Sequence, residues 1–205
     1  MKKLSSIILV ILLLQINFSW AQNLVVSHEI TFWLKYRYLK LEKETLKTLI
    51  ESKGFEGARL FFHELNRWLT FDIREYLHDW NTKVHLVSIN YRNPSHYADK
   101  ISQKILISYQ ENLEKKQKIK PVLIVQKNKD KTIYRYLIPI YVKKDCLKCH
   151  GNNYEIPFSY QVKIKNLYPN DKAINLKQGD IIAALSIEIP ADTIDYLLSA
   201  QNYSQ

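Results

Sequence analysis

Residues 83–94 read Lys-Val-His-Leu-Val-Ser-Ile-Asn-Tyr-Arg-Asn-Pro, and here the chain changes its hydrophobic period. Val87, Ile89 and Tyr91 alternate with Leu86, Ser88 and Asn90, a period of two that predicts a half-buried strand, closed by Arg92-Asn93-Pro94. Upstream the spacing is helical. Trp33, Tyr36, Leu39, Leu46, Leu49 and Ile50 recur among Lys and Glu over residues 30–52, and Gly54 ends the run. Ala58, Phe61, Phe62 and Leu65 fall at i, i+3, i+4 and i+7 within a second helix, 55–66, and a third is expected over 68–80. Downstream, Ser95, Asp99, Ile101, Ile105 and Tyr109 begin a further helix that dissolves in the Lys-rich stretch 114–120, read as a solvated face. Residues 121–126, 132–142, 160–164 and 180–189 are β-branched and apolar and are expected as strands, and 191–200 as a short helix. Helices first and strands afterwards predict an α+β domain with a mainly antiparallel sheet and a long N-terminal helix.

The 205 residues contain 46% hydrophobic side chains, which is the composition of one folded core with an appendage and not of a disordered tail. At the N-terminus, Lys2 and Lys3 precede the apolar run 7–14, then Gln15 and Asn17, then Ser19-Trp20-Ala21. These are the three regions of a secretory signal peptide, with cleavage expected after Ala21. The run of eight would extend about 12 Å as a helix against roughly 30 Å of hydrocarbon, so a permanent anchor is the weaker reading. With no Cys near the cleavage point, lipid attachment there is excluded. The expected organisation is a leader over 1–21, a helical segment over 22–53 and the main domain over 54–205, exported to the periplasm. The formal charge of +10 falls to +8 when the two leader lysines are lost. That charge bounds the partners to acidic proteins, anionic membrane surfaces or polyanions.

Sulfur is the most restrictive count: two Cys and one Met, the initiator. Cys146-Leu147-Lys148-Cys149-His150 is a C-x-x-C-H sequence, the attachment pattern of c-type haem. Its spacing has a chemical reason, since two thiols three positions apart can add to the two vinyl groups of one haem while the next residue offers an imidazole to the iron. Export agrees with it, and no second C-x-x-C completes a zinc ribbon. A redox-active dithiol is the rival, but it needs a helix starting at the first Cys, and Gly151-Asn152-Asn153 breaks one at once. One covalently attached haem c is therefore expected, with Cys146 and Cys149 as attachment residues and His150 as an iron ligand.

Without Met in the mature chain and with both thiols consumed, the second axial position is left to His, Lys, Tyr, the new amino terminus, water or nothing. Five histidines are candidates: His28, His63, His78, His85 and His96. His63 stands in an aromatic setting with Phe61, Phe62 and Trp68 and is put forward as the second metal ligand, although a helical wheel also places it on the polar side with Arg59 and Asn66. His85 reads more simply as a core histidine, His96 as a helix-start residue, and His28 and His78 as surface residues.

Beyond the motif, residues 54–190 resemble the Tll0287-like haem domain family. The resemblance rests on Arg92-Asn93-Pro94 after a strand, Pro139 ahead of Cys146-Leu147-Lys148-Cys149-His150-Gly151, Tyr168-Pro169-Asn170-Asp171-Lys172-Ala173, and Gly179-Asp180 leading into Ala184-Leu185-Ser186-Ile187. It implies a PAS-like antiparallel sheet flanked by helices, with His150 as proximal ligand. Two departures follow: the family's frequent distal cysteine falls on Phe62, one residue before His63, and glycines near its last strand are replaced by Asn175 and Ala183. A neutral His63 in place of a thiolate would raise the reduction potential.

Two functional classes follow. One is a periplasmic monohaem cytochrome passing single electrons to or from an acidic redox protein, with possible peripheral contact with an anionic membrane. The other is a haem-based redox or gas sensor acting through a separate signalling partner. An electron carrier or sensor is favoured over an enzyme, as nothing in the sequence supplies a substrate pocket. Nucleic-acid binding is not expected, because the lysines are dispersed among helices without an aromatic platform.

Overall fold

The computed structural model describes residues 32–77, 81–128 and 131–202. The leader 1–21, His28 and His78 lie outside the described residues. The chain opens with a helical hairpin. Helix α1, residues 32–53, contains a π-helical turn at Glu42–Leu46 and finishes as the α-helical segment Lys47–Lys53. Gly54 turns the chain at φ 58° and ψ −130°, a backbone conformation that side chains with a Cβ avoid. Helix α2 is Phe55–Leu77, so the two helices expected at 55–66 and 68–80 are one. No helix breaker separates them: Leu65, Leu69 and Ile73 carry the apolar stripe of Phe61 straight through Arg67-Trp68. The hairpin is held along its length by Gly57, where a Cβ would stand 1.9 Å from the Leu49 carbonyl, by the Arg37–Asp72 ion pair at 2.7 Å, and by Trp33 stacked on Tyr76.

Strands β1 (Lys83–Val87), β2 (Val122–Asn128), β3 (Lys131–Tyr141) and β4 (Ile181–Pro190) form an antiparallel sheet in the order β1-β4-β3-β2. The last strand in sequence lies inside, paired to both β1 and β3, and reads as a nearly continuous buried run. Both faces of the sheet are covered, which is why β1 buries Leu86 and Val87 in succession. One face carries Val84, Leu86, Tyr136, Leu185 and Ile187 against Leu34 and Tyr38 of α1 and Phe61, Leu65 and Leu69 of α2. The other carries Val87, Leu137 and Ala184 against Ala98, Leu106 and Tyr109, the last two on helix α3 (Lys100–Glu114). Each of these fully buried aliphatic side chains contributes about 1.5–3 kcal/mol.

The free edge of β1 is closed by side chains of α2. Asn66 Oδ1 accepts from Leu86 N at 2.9 Å, and Thr70 Oγ1 donates to Val84 O at 3.0 Å. An edge occupied in this way is denied to other chains. Past Val87 the chain leaves the ladder, earlier than the alternation to Tyr91 predicts: Ser88 bridges to Tyr97, and Pro94–His96 form a 3-10 turn. Pro139 is tolerated in β3 because β2 begins at Val122, opposite Leu137, so the neighbouring strand has already ended there.

The clearest departure from the sequence expectation is 160–164, which is helical within α5 (Phe158–Leu167) and not a strand. Tyr160 and Ile164 point to one side and Phe158 and Val162 to the other, so both sides are apolar and no helical period is visible. The stretch 114–120 is exposed at all its charged positions, as a solvated face. Among the described residues no helix is long and apolar enough to cross a membrane.

Asp99 caps α3, accepting from Ser102 N at 2.7 Å, and pairs with the buried Arg135, which also reaches Glu188 at 2.6 Å. Partial burial works against its charge, yet the Ser102 and Arg135 hydrogen bonds bring its carboxyl down to about 2. A carboxyl depressed from its unfolded value of about 3.9 stabilises the fold above that value and loses the contribution as pH falls toward 2. Asp99→Asn is therefore expected to flatten the fall of the melting temperature between pH 4 and pH 2; an unchanged slope would show that other carboxylates govern acid unfolding.

Candidate functional site

Strand β3 ends beside β4 at a register shift between Ile140 and Tyr141, and the chain runs at once into a 3-10 turn, Lys144–Cys146, and the short helix α4, Leu147–His150. Three residues on a helix are about 300° apart, so Cys146 and Cys149 project to neighbouring directions, with His150 a further 100° round. Cys146 Sγ accepts from Lys143 N at 3.3 Å. Both thiols are free and partly buried, and burial raises both pKa values, against the opposing influence of Lys143 N at Cys146 and of Arg92 at Cys149. Cys149 packs beside Phe55 of α2, Ile156, and Tyr160 and Ile164 of α5. Gly151 ends α4; a Cβ there would come within 2.6 Å of both the Leu147 carbonyl and the Glu155 carboxylate.

His150 Nδ1 lies 2.7 Å from the carbonyl oxygen of Ala173. A carbonyl only accepts, so Nδ1 carries the proton and Nε2 presents its lone pair. This is the arrangement by which proteins orient a histidine for a metal. Burial, reinforced by the nearby Arg92 guanidinium, holds the imidazole down at about 4 despite that hydrogen bond, so it is neutral at physiological pH.

The segment that receives His150 is itself clasped. Arg92 donates to Asp171 through Nε at 3.0 Å and to the Cys149 carbonyl through Nη2 at 2.6 Å, with Arg92 and Asp171 side chains 12% and 7% exposed. Asp171 Oδ1 accepts from Ala173 N, Leu176 N donates to His150 O, and Asn175 N donates to Gly151 O. Asn175 adopts φ 59°, which asparagine tolerates better than most residues with a Cβ. The Arg-Asn-Pro, C-x-x-C-H and Tyr-Pro-Asn-Asp-Lys-Ala segments, separated by tens of residues, thus meet in one hydrogen-bonded unit.

Helix α1 closes another side. Lys143 Nζ pairs with Glu42 Oε2 at 2.6 Å, at the first residue of the π-helical turn, and Tyr38 is buried one turn earlier. Burial, with Glu42 and Cys146 nearby, pushes the Tyr38 phenol far above its ordinary range.

The other candidate ligands are placed as follows. His63 is on the exposed side of α2, its side chain 66% exposed, with Nδ1 2.9 Å from Glu64 Oε1. Hydrogen bonds from His63 and then Arg67 lower the Glu64 carboxyl, and in the neutral imidazole tautomer that donates from Nδ1, Nε2 carries the lone pair. On the helical wheel His63 is about 80° from Phe55, the α2 residue beside Cys149, and Phe62 about 20° from it. His85 and His96 are partly buried, and burial lowers both; His85 Nε2 is 4.0 Å from Glu188. His63 and His150 share one feature, Nδ1 held by an acceptor and Nε2 open. Among the described residues no group of three His, Cys, Asp or Glu side chains could hold a metal ion.

Arg92, Asp171 and Ala173 were visible in the sequence as pieces of a pattern, without a role. Tyr38 and Glu42 carried no signal at all, since an ion pair spanning 101 positions has no sequence period.

The family described as Tll0287-like matches residues 40–190, about three quarters of the chain. Among solved structures, the crystal structure of the cyanobacterial heme-protein Tll0287 is similar at 24% identity, with a TM-score of 0.42, over 60% of this chain and 70% of that one. No curated protein matches the chain.

Proposed function

The chain belongs to the Tll0287-like family, and from that premise we propose that it is an exported monohaem c-type cytochrome that carries single electrons. Cys146 and Cys149 would hold the haem by thioether bonds and His150 would bind the iron. The observation that carries this reading is the partly buried His150 Nδ1 bond to Ala173 O, beside two free thiols. The donor set fits the group: a neutral imidazole with an open Nε2, and thiols next to the apolar side chains of Phe55, Ile156 and Ile164. When bound, haem supplies a one-electron iron couple. The chain's own residues orient the imidazole, keep it unprotonated through burial and Arg92, and tie the motif to the 168–176 loop so that its geometry is set before loading. The partner is an acidic redox protein, drawn by the basic surface at a rate that falls with salt.

The test is a pyridine haemochrome spectrum of protein matured in a periplasm competent for haem attachment. Covalently held haem c is expected; its absence overturns the reading. Carbon monoxide then separates carrier from sensor: slow or absent binding to the reduced protein is expected, and rapid binding would point to a gas sensor.

For the second axial position we put forward His63, because Glu64 holds its Nδ1 and leaves Nε2 open. His63→Ala is expected to convert the low-spin electron paramagnetic resonance signal of the oxidised protein to high-spin and to move the reduced Soret band. A low-spin signal that survives the substitution would exclude His63.

A further inference from the structure

Helix α5 presents two apolar faces, and only one is used by the fold. Tyr160 and Ile164 face Cys149 and Phe55. Phe158 and Val162 lie about 160° away on the wheel and Lys165 about 140° away, so they face outward. Phe158 is 78% exposed, and Tyr154, in the loop joining the C-x-x-C-H segment to α5, is fully so. The helix reads Phe-Ser-Tyr-Gln-Val-Lys-Ile-Lys-Asn-Leu and contains no acid, while Lys163 and Lys165 are both exposed. Glu155, in the loop before the helix, turns its carboxylate back to Asn152 N at 2.9 Å.

We propose that this outward face of α5, with Phe158 and Val162 at its centre, Lys165 at its rim, the exposed Lys163 on its flank and Tyr154 in the loop leading to it, docks an acidic protein partner. The inference rests on the electron-carrier reading and assigns the surface on which that partner sits. Cys149 packs with the Phe55, Ile156 and Ile164 group, on the side of α5 away from Phe158 and Val162. A second copy of the chain fits poorly, because a two-fold contact through α5 would bring basic rims together with no acid on either helix to offset them. An acidic surface satisfies both parts of the patch: its carboxylates meet the lysines while the aromatic centre is buried. The position also suits electron transfer, since a single helix separates the docked surface from the attachment residues.

The test uses the mature, haem-loaded protein, with an acidic flavodoxin as probe and amide shifts as the readout. At low ionic strength the largest shifts are expected over residues 154–165. K163E/K165E is expected to weaken binding about tenfold, with the difference shrinking as salt is added, and F158S to weaken it at all salt concentrations. Both are exposed substitutions, and an unchanged melting temperature confirms an intact fold. Shifts located elsewhere, or affinity insensitive to both variants, overturn the proposal. So does a dimer dispersed by the same variants, or binding to phosphatidylglycerol vesicles that they abolish while flavodoxin binding is unaltered. Haem content measured on the same sample keeps the two readings apart: a sample without covalent haem sinks the cytochrome, whereas the flavodoxin affinity reports on the surface itself.

Discussion

Replacing Cys146 and Cys149 together by Ser is expected to abolish covalent haem attachment: acidified acetone should strip all colour from the protein, leaving a blank pyridine haemochrome spectrum. Neither thiol is part of the two large clusters that cover the sheet. Of the apolar clusters, Cys149 packs against the small group of Phe55, Ile156 and Ile164, and Cys146 stands at the end of a 3-10 turn. The far-ultraviolet circular dichroism should therefore be retained while the melting temperature falls, because the stabilisation contributed by a group bound only to the folded state is lost. Colour that resists extraction in the double variant would mean attachment through some other residue and would remove the role given to the motif.

Arg92→Ala is expected to cost about 3–5 kcal/mol of folding stability, the range for removing one partner of a buried ion pair. With side chains 12% and 7% exposed, Arg92 and Asp171 are too sheltered for water to replace the lost partner, and the Cys149 carbonyl also loses its donor. Arg92→Lys should recover little, because one ammonium cannot reproduce the fork that spans a carboxylate and a carbonyl. Asp171→Ala in the Arg92→Ala background should cost less than it does alone, since the two belong to one pair. Denaturant midpoints for the four proteins measure the coupling, and additive losses would show that the clasp is not a unit. Arg92→Ala should also lower haem loading, as the loop whose Ala173 carbonyl orients His150 is held by Asp171.

Much of the architecture could be read before any coordinates. The α+β class and the strand at β1 follow from periods that each element carries locally, whereas β1, expected half-buried, is covered on both faces, with Leu86 and Val87 each in a different cluster. Errors fell where tertiary context overrode a local pattern. Residues 160–164 look like a strand because Tyr160, Val162 and Ile164 are apolar on alternate positions, yet one side packs on Cys149 and the other is exposed, an arrangement a helix also satisfies. β1 stops at Val87 although the alternation continues to Tyr91, because Ser88 turns to Tyr97 and Arg92 is drawn to the motif. Pro139 argues against a central strand by itself, and only the early end of β2 explains it.

The sequence alone determined the chemistry that can occur. C-x-x-C-H is a contiguous pattern, with thiol spacing and imidazole position set by covalent geometry, and two Cys and the initiator Met are all the sulfur in the sequence. What only the tertiary structure decided is which atom of His150 is free, what keeps it neutral and which face of α5 is left open. Those depend on Ala173 and Arg92 reaching α4 from 23 and 57 residues away in the chain, and on Asp171 holding Arg92 across 79, along contacts that carry no period. A hydrogen bond between distant residues is invisible to local pattern, because its partners are brought together by burial elsewhere.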